Sequence, residues 1–168
     1  SSIAKYTYTV SANGTYNLLS TGSGIDIYYI NVSISSSSSS GSSGSGSTDS
    51  GSSGNTDSSG STNSGSSENT GSGSSSGTVT TTISVNASDY STATLNSNKT
   101  YGDFTVLATS DKTVKITSNA TTYNGTTYKL AFDLGGGAGS VKPTYRAIKF
   151  NASAGSTITA IVNANSSR

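Results

Sequence analysis

Residues 24–34 read GIDIYYINVSI, and this stretch decides the fold. In an extended chain Ile25, Ile27 and Tyr29 lie on one side, and Tyr28, Ile30, Val32 and Ile34 lie on the other. A strand apolar on both faces is expected in the middle of a sheet, with cover above and below. Nothing else in residues 1–34 can supply that cover. Ala4 to Val10 alternates, placing Tyr6, Tyr8 and Val10 on a core-facing side and Lys5, Thr7 and Thr9 opposite. Asn13-Gly14 signals a turn, and Thr15 to Leu19 follows as a short strand. A segment this short, with no cysteine anywhere in the chain, is too small to fold alone. It must pack on something else.

The next stretch, residues 35–77, contains only Ser, Gly, Thr, Asn, Asp and Glu. Without apolar side chains it cannot offset its ordering entropy, so it reads as a disordered low-complexity linker. Residues 78–168 return to strand patterns. Val79, Thr81, Ile83 and Val85 alternate, and Phe104, Val106 and Ala108 point inward from a strand over Asp103 to Ala108. Thr113 to Ile116 follows. Tyr128, Leu130, Phe132 and Leu134 then form one apolar face, with Lys129, Ala131 and Asp133 on the other. Beyond a glycine loop at Gly135 to Gly139, strands are expected over Tyr145 to Phe150 and Thr157 to Val162. No window has a helical period. The expected fold is all-β: an antiparallel β-sandwich of jelly-roll type, assembled from segments 1–34 and 78–168.

Composition narrows the function. The chain has no Cys, His, Met or Trp, so thiolate chemistry, disulfides and a histidine base are excluded. Asp26, Asp89, Asp103, Asp111 and Asp133 show neither paired nor metal-loop spacing, and they read as solvated or turn-capping acids. The glycine loop is followed by no helix and no Gly-Lys-Ser/Thr, so it reads as a turn rather than a phosphate loop. No catalytic residue, metal site or cofactor is expected. Outside the linker nine Lys and Arg face five Asp, an excess of four. That favours an acidic partner, yet it is too thin for nucleic acid. No apolar run approaches a membrane span. The Ser, Thr, Gly, Asn and Tyr bias suggests a secreted, extracellular protein, and Ser1-Ser2 in place of Met suggests a processed or excerpted chain.

A family resemblance adds to this. KLAFDLGGGAG at 129–139, YRAIKF at 145–150, STITAIV at 156–162 and NSSR at 165–168 stand in an unusual order. In that order they resemble the first part of β-sandwich carbohydrate-binding modules appended to bacterial pectate lyases. The opening SSIAKYTYTVSANGTYNLLSTGSGIDIYYINVSI resembles the last part of the same module. Tail therefore precedes head, and a short strand usual in the family between the positions of Arg168 and Lys5 has no counterpart. Either the chain spans the junction of two tandem modules, or the first segment completes the sheet of the second. Completion can occur within one chain or between copies. Forty-three flexible residues reach on the order of 35 Å, enough for closure within one chain.

Two functions follow from that resemblance. The first is non-catalytic binding of acidic plant polysaccharide (pectin, homogalacturonan), with cationic side chains meeting successive uronate carboxylates. Lys129, Lys115 and Lys5 are the lysine candidates, on strands expected to become neighbours if the halves pair. Arg146 matches a recurring arginine of the family, and Tyr145, like Tyr123, stands near a loop where a ring could stack on sugar. The second is a structural subunit of an extracellular filament, a homo-oligomer built by strand exchange between copies.

Overall fold

The computed structural model describes residues 2–37 and 78–164. Among them are eleven strands and a single 3₁₀ turn, Ala87–Asp89. The first segment forms β1 (Ser2–Thr9), β2 (Gly14–Leu19) and β3 (Ile25–Ser37). The second begins with β4 (Thr78–Asn86), β5 (Ala93–Leu95), β6 (Lys99–Tyr101) and β7 (Phe104–Leu107). It continues with β8 (Val114–Tyr123), β9 (Thr126–Asp133), β10 (Ala147–Ala152) and β11 (Thr157–Ala164). The segment expected to be a linker starts later than the composition suggested, because β3 runs on to Ser37; its remainder lies outside the described residues. The described residues up to Ser36 and from Thr80 onward make one compact unit.

This unit is an antiparallel β-sandwich. One sheet runs β1-β11-β3-β9-β8-β5 with β4 also paired to β3, and the other runs β2-β10-β7-β6. The first segment is woven into both sheets. β3 is the central strand, laddered to β11 along most of its length. On its other side it meets β9 at Asp26↔Asp133 and Ile27↔Phe132, then β4. Ser35 and Thr80 share a hydroxyl hydrogen bond of 3.2 Å across the β3–β4 pair. Within one chain, then, the short segment supplies the middle of the long segment's sheet.

A bulge re-phases β3. Ile161 pairs with Tyr29 while Val162 pairs with Ile27, which leaves Tyr28 as the extra residue. Strict alternation would put Ile27 and Ile30 on opposite faces. The bulge turns both into the inter-sheet core, with Val32, Phe104, Val106, Phe132, Ile148 and Phe150. Tyr28 goes to the opposite face, where it is fully buried in a second cluster with Tyr128, Ala131 and Ile161. Ile3, Tyr29 and Tyr123 pack against that cluster.

The cover over this second face comes from a bent hairpin. Between the pairs Ser118↔Leu130 and Thr121↔Tyr128, β8 carries one residue more than β9. On β9, Ser88 Oγ accepts the successive amides of Lys129 and Leu130, at 2.9 and 3.3 Å. The hairpin bends there, and Tyr128 leaves the face of Leu130, Phe132 and Leu134 to stand 6.0 Å, ring to ring, from Tyr28. Asp26 is consequently not the solvated acid expected. It is 4% exposed and accepts 2.8 Å from Asn119 Nδ2.

Tyr6 and Tyr8 depart from the sequence reading in the other direction. They are 60% and 56% exposed, although Val10, beyond the end of the same strand, is buried as expected. β1 is an edge strand of the larger sheet, and their cross-strand partners are Ala160 and Ile158. The alternation was real, but the smaller sheet leaves both tyrosines uncovered, with a cleft between Tyr6 and Leu18 and Leu19 of β2.

Burial makes β3 the strand most sensitive to truncation. Ile27→Ala should cost about 2–5 kcal/mol in denaturant unfolding, against less than about 1 kcal/mol for exposed Thr7→Ala. Desolvation raises the pKa values of Tyr28, Tyr101 and Tyr128, with Asp26, Tyr90 and Tyr29 respectively adding negative charge. A folded pKa above the unfolded value means stability is intact below the ordinary tyrosine range, about pH 10, and falls as pH rises through it. Thermal melts should show that alkaline loss, and Tyr28→Phe should lessen it.

Candidate functional site

The site is built on the loop from β9 to β10. Asp133 ends β9 and its Oδ1 accepts the Gly135 amide at 2.8 Å, a side-chain-closed turn. Gly135 then takes φ +67°, a left-handed conformation that suits glycine. The loop lies tight against the β2–β3 turn. Ala138 N donates to Ser20 O at 2.7 Å, and Leu134 N donates to Ile25 O at 3.0 Å. A Cβ on Gly24 would run into the Gly135 carbonyl, and one on Gly137 would lie 2.7 Å from the Thr21 and Gly22 carbonyls. Glycine is required at these positions because two backbones touch.

Arg146 stands where this loop enters β10. Its φ is +52°, and its amide donates 2.6 Å to Leu107 O. A left-handed arginine is uncommon and costs of order 1–3 kcal/mol. The guanidinium lies over the bare faces of Gly135 and Gly136, where a Cβ would come within 3.2 Å of it. Nε is enclosed and makes no hydrogen bond. Among the described residues no carboxylate forms an ion pair with Arg146. Tyr145 is half-buried beside it, with its hydroxyl 3.1 Å from where a Gly139 Cβ would stand. Chemically this is an anchored cationic fork with unused donors. With Nε enclosed, it can meet a carboxylate end-on, through its two terminal nitrogens.

Of the predicted binding residues, Arg146 and Tyr145 are brought to one loop and the three lysines are not brought to it. Lys115, on β8, is exposed and pairs in register with Asp133. Lys5 pairs with Ile161 on β1, and three strands lie between β1 and β8. That separates Lys5 from Lys115 by on the order of 20 Å across the sheet. Lys129 is exposed at the bend of β9, four residues and roughly 13 Å along the strand from Asp133. Tyr123 packs into the second core instead of standing free at its turn. A cation that the sequence reading passed over is Lys149, exposed on β10 in register with Asn17 and Thr105. The inward alternation of Ile148, Phe150 and Ala152 was the signal that marked it as outward.

No protein-family description, curated protein or solved structure matches this chain. Among the described residues no helix is long and apolar enough to cross a membrane.

The backbone at Arg146 can be tested apart from its side chain. Arg146→Ala and Arg146→Gly delete the same interactions but differ in tolerance of positive φ. Chemical denaturation should find the glycine variant about 1 kcal/mol more stable than the alanine variant. Equal stabilities would mean that the left-handed conformation is not held in solution.

Proposed function

We propose that the protein is a non-catalytic, extracellular carbohydrate-binding module for acidic polysaccharide of the polygalacturonate kind, with Arg146 as its principal carboxylate contact. The observation that carries this reading is the state of the Arg146 side chain: seated on glycine, strained at its backbone, enclosed at Nε and unpaired by any acid among the described residues. Structural arginines normally find a partner, because an enclosed donor without one costs roughly 1–3 kcal/mol. A ligand carboxylate would pair with the terminal guanidinium nitrogens, which no acid among the described residues engages. Tyr145 offers a ring and a hydroxyl alongside. The exposed lysines (Lys129, Lys115 and Lys5, with Lys149) contribute longer-range attraction rather than a continuous row of contacts. The resemblance to pectin-binding modules points to the same class of polymer.

Assembly by strand exchange is a second role, for which one observation speaks. β1 is an eight-residue edge strand with Lys5 as its one charged side chain and with no proline, and it exposes Tyr6 and Tyr8. Such an edge is available for pairing with another strand. Light scattering on the intact chain would report polymers if this role dominates.

Calorimetric titration with polygalacturonate tests the primary reading. Binding should weaken as salt rises and as pH falls through the range in which the polymer's carboxylates protonate. Arg146→Ala should lower affinity at least about tenfold, while Arg146→Lys, keeping charge without the fork, should recover only part of it. Full affinity in Arg146→Ala would remove the basis of the proposal.

A further inference from the structure

We infer that a second binding site, for an uncharged sugar unit, lies in the cleft at the end of β10 opposite Arg146. The cleft holds about 440 Å³ between β2 and β10 of the smaller sheet and β3 and β4 of the larger. Its floor is aliphatic, built from Val32 and Ile34 of β3 and Ile83 of β4. All three are β-branched and therefore stiff at χ1, so the floor is preformed. The rim is polar, built from Asn13, Thr15 and Asn151. Among the described residues, no Lys, Arg, Asp or Glu lines the space.

The rim hydrogen bonds decide what the cleft can recognise. Asn13 Oδ1 accepts the Ala154 amide at 2.8 Å, and Asn151 Oδ1 accepts the Thr15 hydroxyl at 2.8 Å. With each amide oxygen already accepting one bond, the asparagines present their NH₂ groups as donors, beside the hydroxyls of Thr81, Ser153 and Ser156 that also line the space. A complementary ligand carries oxygen acceptors around its edge and a C–H face to lay on the isoleucines. A neutral pyranose ring has both. A free carboxylate would be desolvated with no cation beside it, and a cation would be desolvated with no carboxylate among the described lining residues. The volume falls within the range of small-ligand sites, which combine an apolar lining with a few fixed polar groups.

This site is independent of the Arg146 reading. β10 spans Ala147–Ala152, so the two lie roughly 17 Å apart along one strand. A neutral unit here and a charged unit at Arg146 would let one module grip a polymer, or two polymers, at separate points.

The test is an NMR titration of the intact chain with neutral trisaccharides of galactose, of glucose and of xylose. At least one should shift the side-chain amides of Asn13 and Asn151 and the methyls of Val32, Ile34 and Ile83, with millimolar affinity. Ile34→Trp, which fills the cleft from a half-buried position, should weaken that binding at least tenfold. Thr15→Val, which frees the Asn151 oxygen, should weaken it by a smaller factor and serves as the second variant if the tryptophan perturbs folding. Arg146→Ala should leave it unchanged. Absence of shifts at these groups with all three sugars would overturn the inference. So would shifts that persist undiminished in both cleft variants, or tighter occupation of the same groups by an uncharged peptide. Polygalacturonate binding that survives such an outcome would leave the Arg146 site standing alone.

Discussion

The structure depends on covering both faces of one strand. β3 is too apolar to lie on a surface, and the segment that contains it has nothing to put over it. The second segment has the complementary defect, because without β3 its larger sheet would be split between β11 and β9. Each half therefore buries what the other would expose. With roughly 25 cal/mol per Å² of apolar surface removed from water, the fully buried Ile27, Tyr28 and Ile30 give this joint its strength. The hydrogen-bond ladders to β11, β9 and β4 give it direction.

Two irregularities let one strand serve two cores. The bulge at Tyr28 directs Ile27 and Ile30 together into the space between the sheets and turns the tyrosine outward. The bend in the β8–β9 hairpin then brings Tyr128 over that tyrosine, and Asn119 to Asp26. Each would be a defect alone. Together they enclose a second cluster on a face that would otherwise be wet. The glycine loop belongs to the same design, since Gly24 at the start of β3 and Gly135 after β9 have no room for side chains between them. Arg146 is thus carried on backbone that the first segment holds in place, which links completion of the sandwich to the proposed binding site.

Much of this was legible in the sequence and some was not, for identifiable reasons. The dual apolar character of residues 24–34 marked the central strand, and alternation located most of the others. β5 and β6, three residues each, were too short to show a period. The tyrosines were the hardest to place. Tyr6 and Tyr8 alternate as core residues do, but whether a core lies beneath them depends on the width of the opposite sheet. Tyr128 reads in phase with Leu130 and Phe132, and only the bend at Ser88 separates them. At the site, Arg146 was singled out by the resemblance, Tyr145 by its place near a loop, and the glycine run read as a turn. That one lies upon the other could not be read, because the contact follows from a left-handed backbone at an arginine, for which no sequence pattern exists. The lysines looked like a row because strand neighbours were assumed, and the observed sheet order sets β11, β3 and β9 between β1 and β8.

The central claim is that β3 completes the sandwich from within the sheet and holds it together. Native-state hydrogen exchange on the intact chain addresses it most directly. The amides of β3 between Ile27 and Val32 should exchange only through global unfolding, as slowly as those of β11 on the adjoining ladder. Exchange of β3 by local opening, while β9 and β11 remain protected, would show that the two halves stand without each other and would contradict the account.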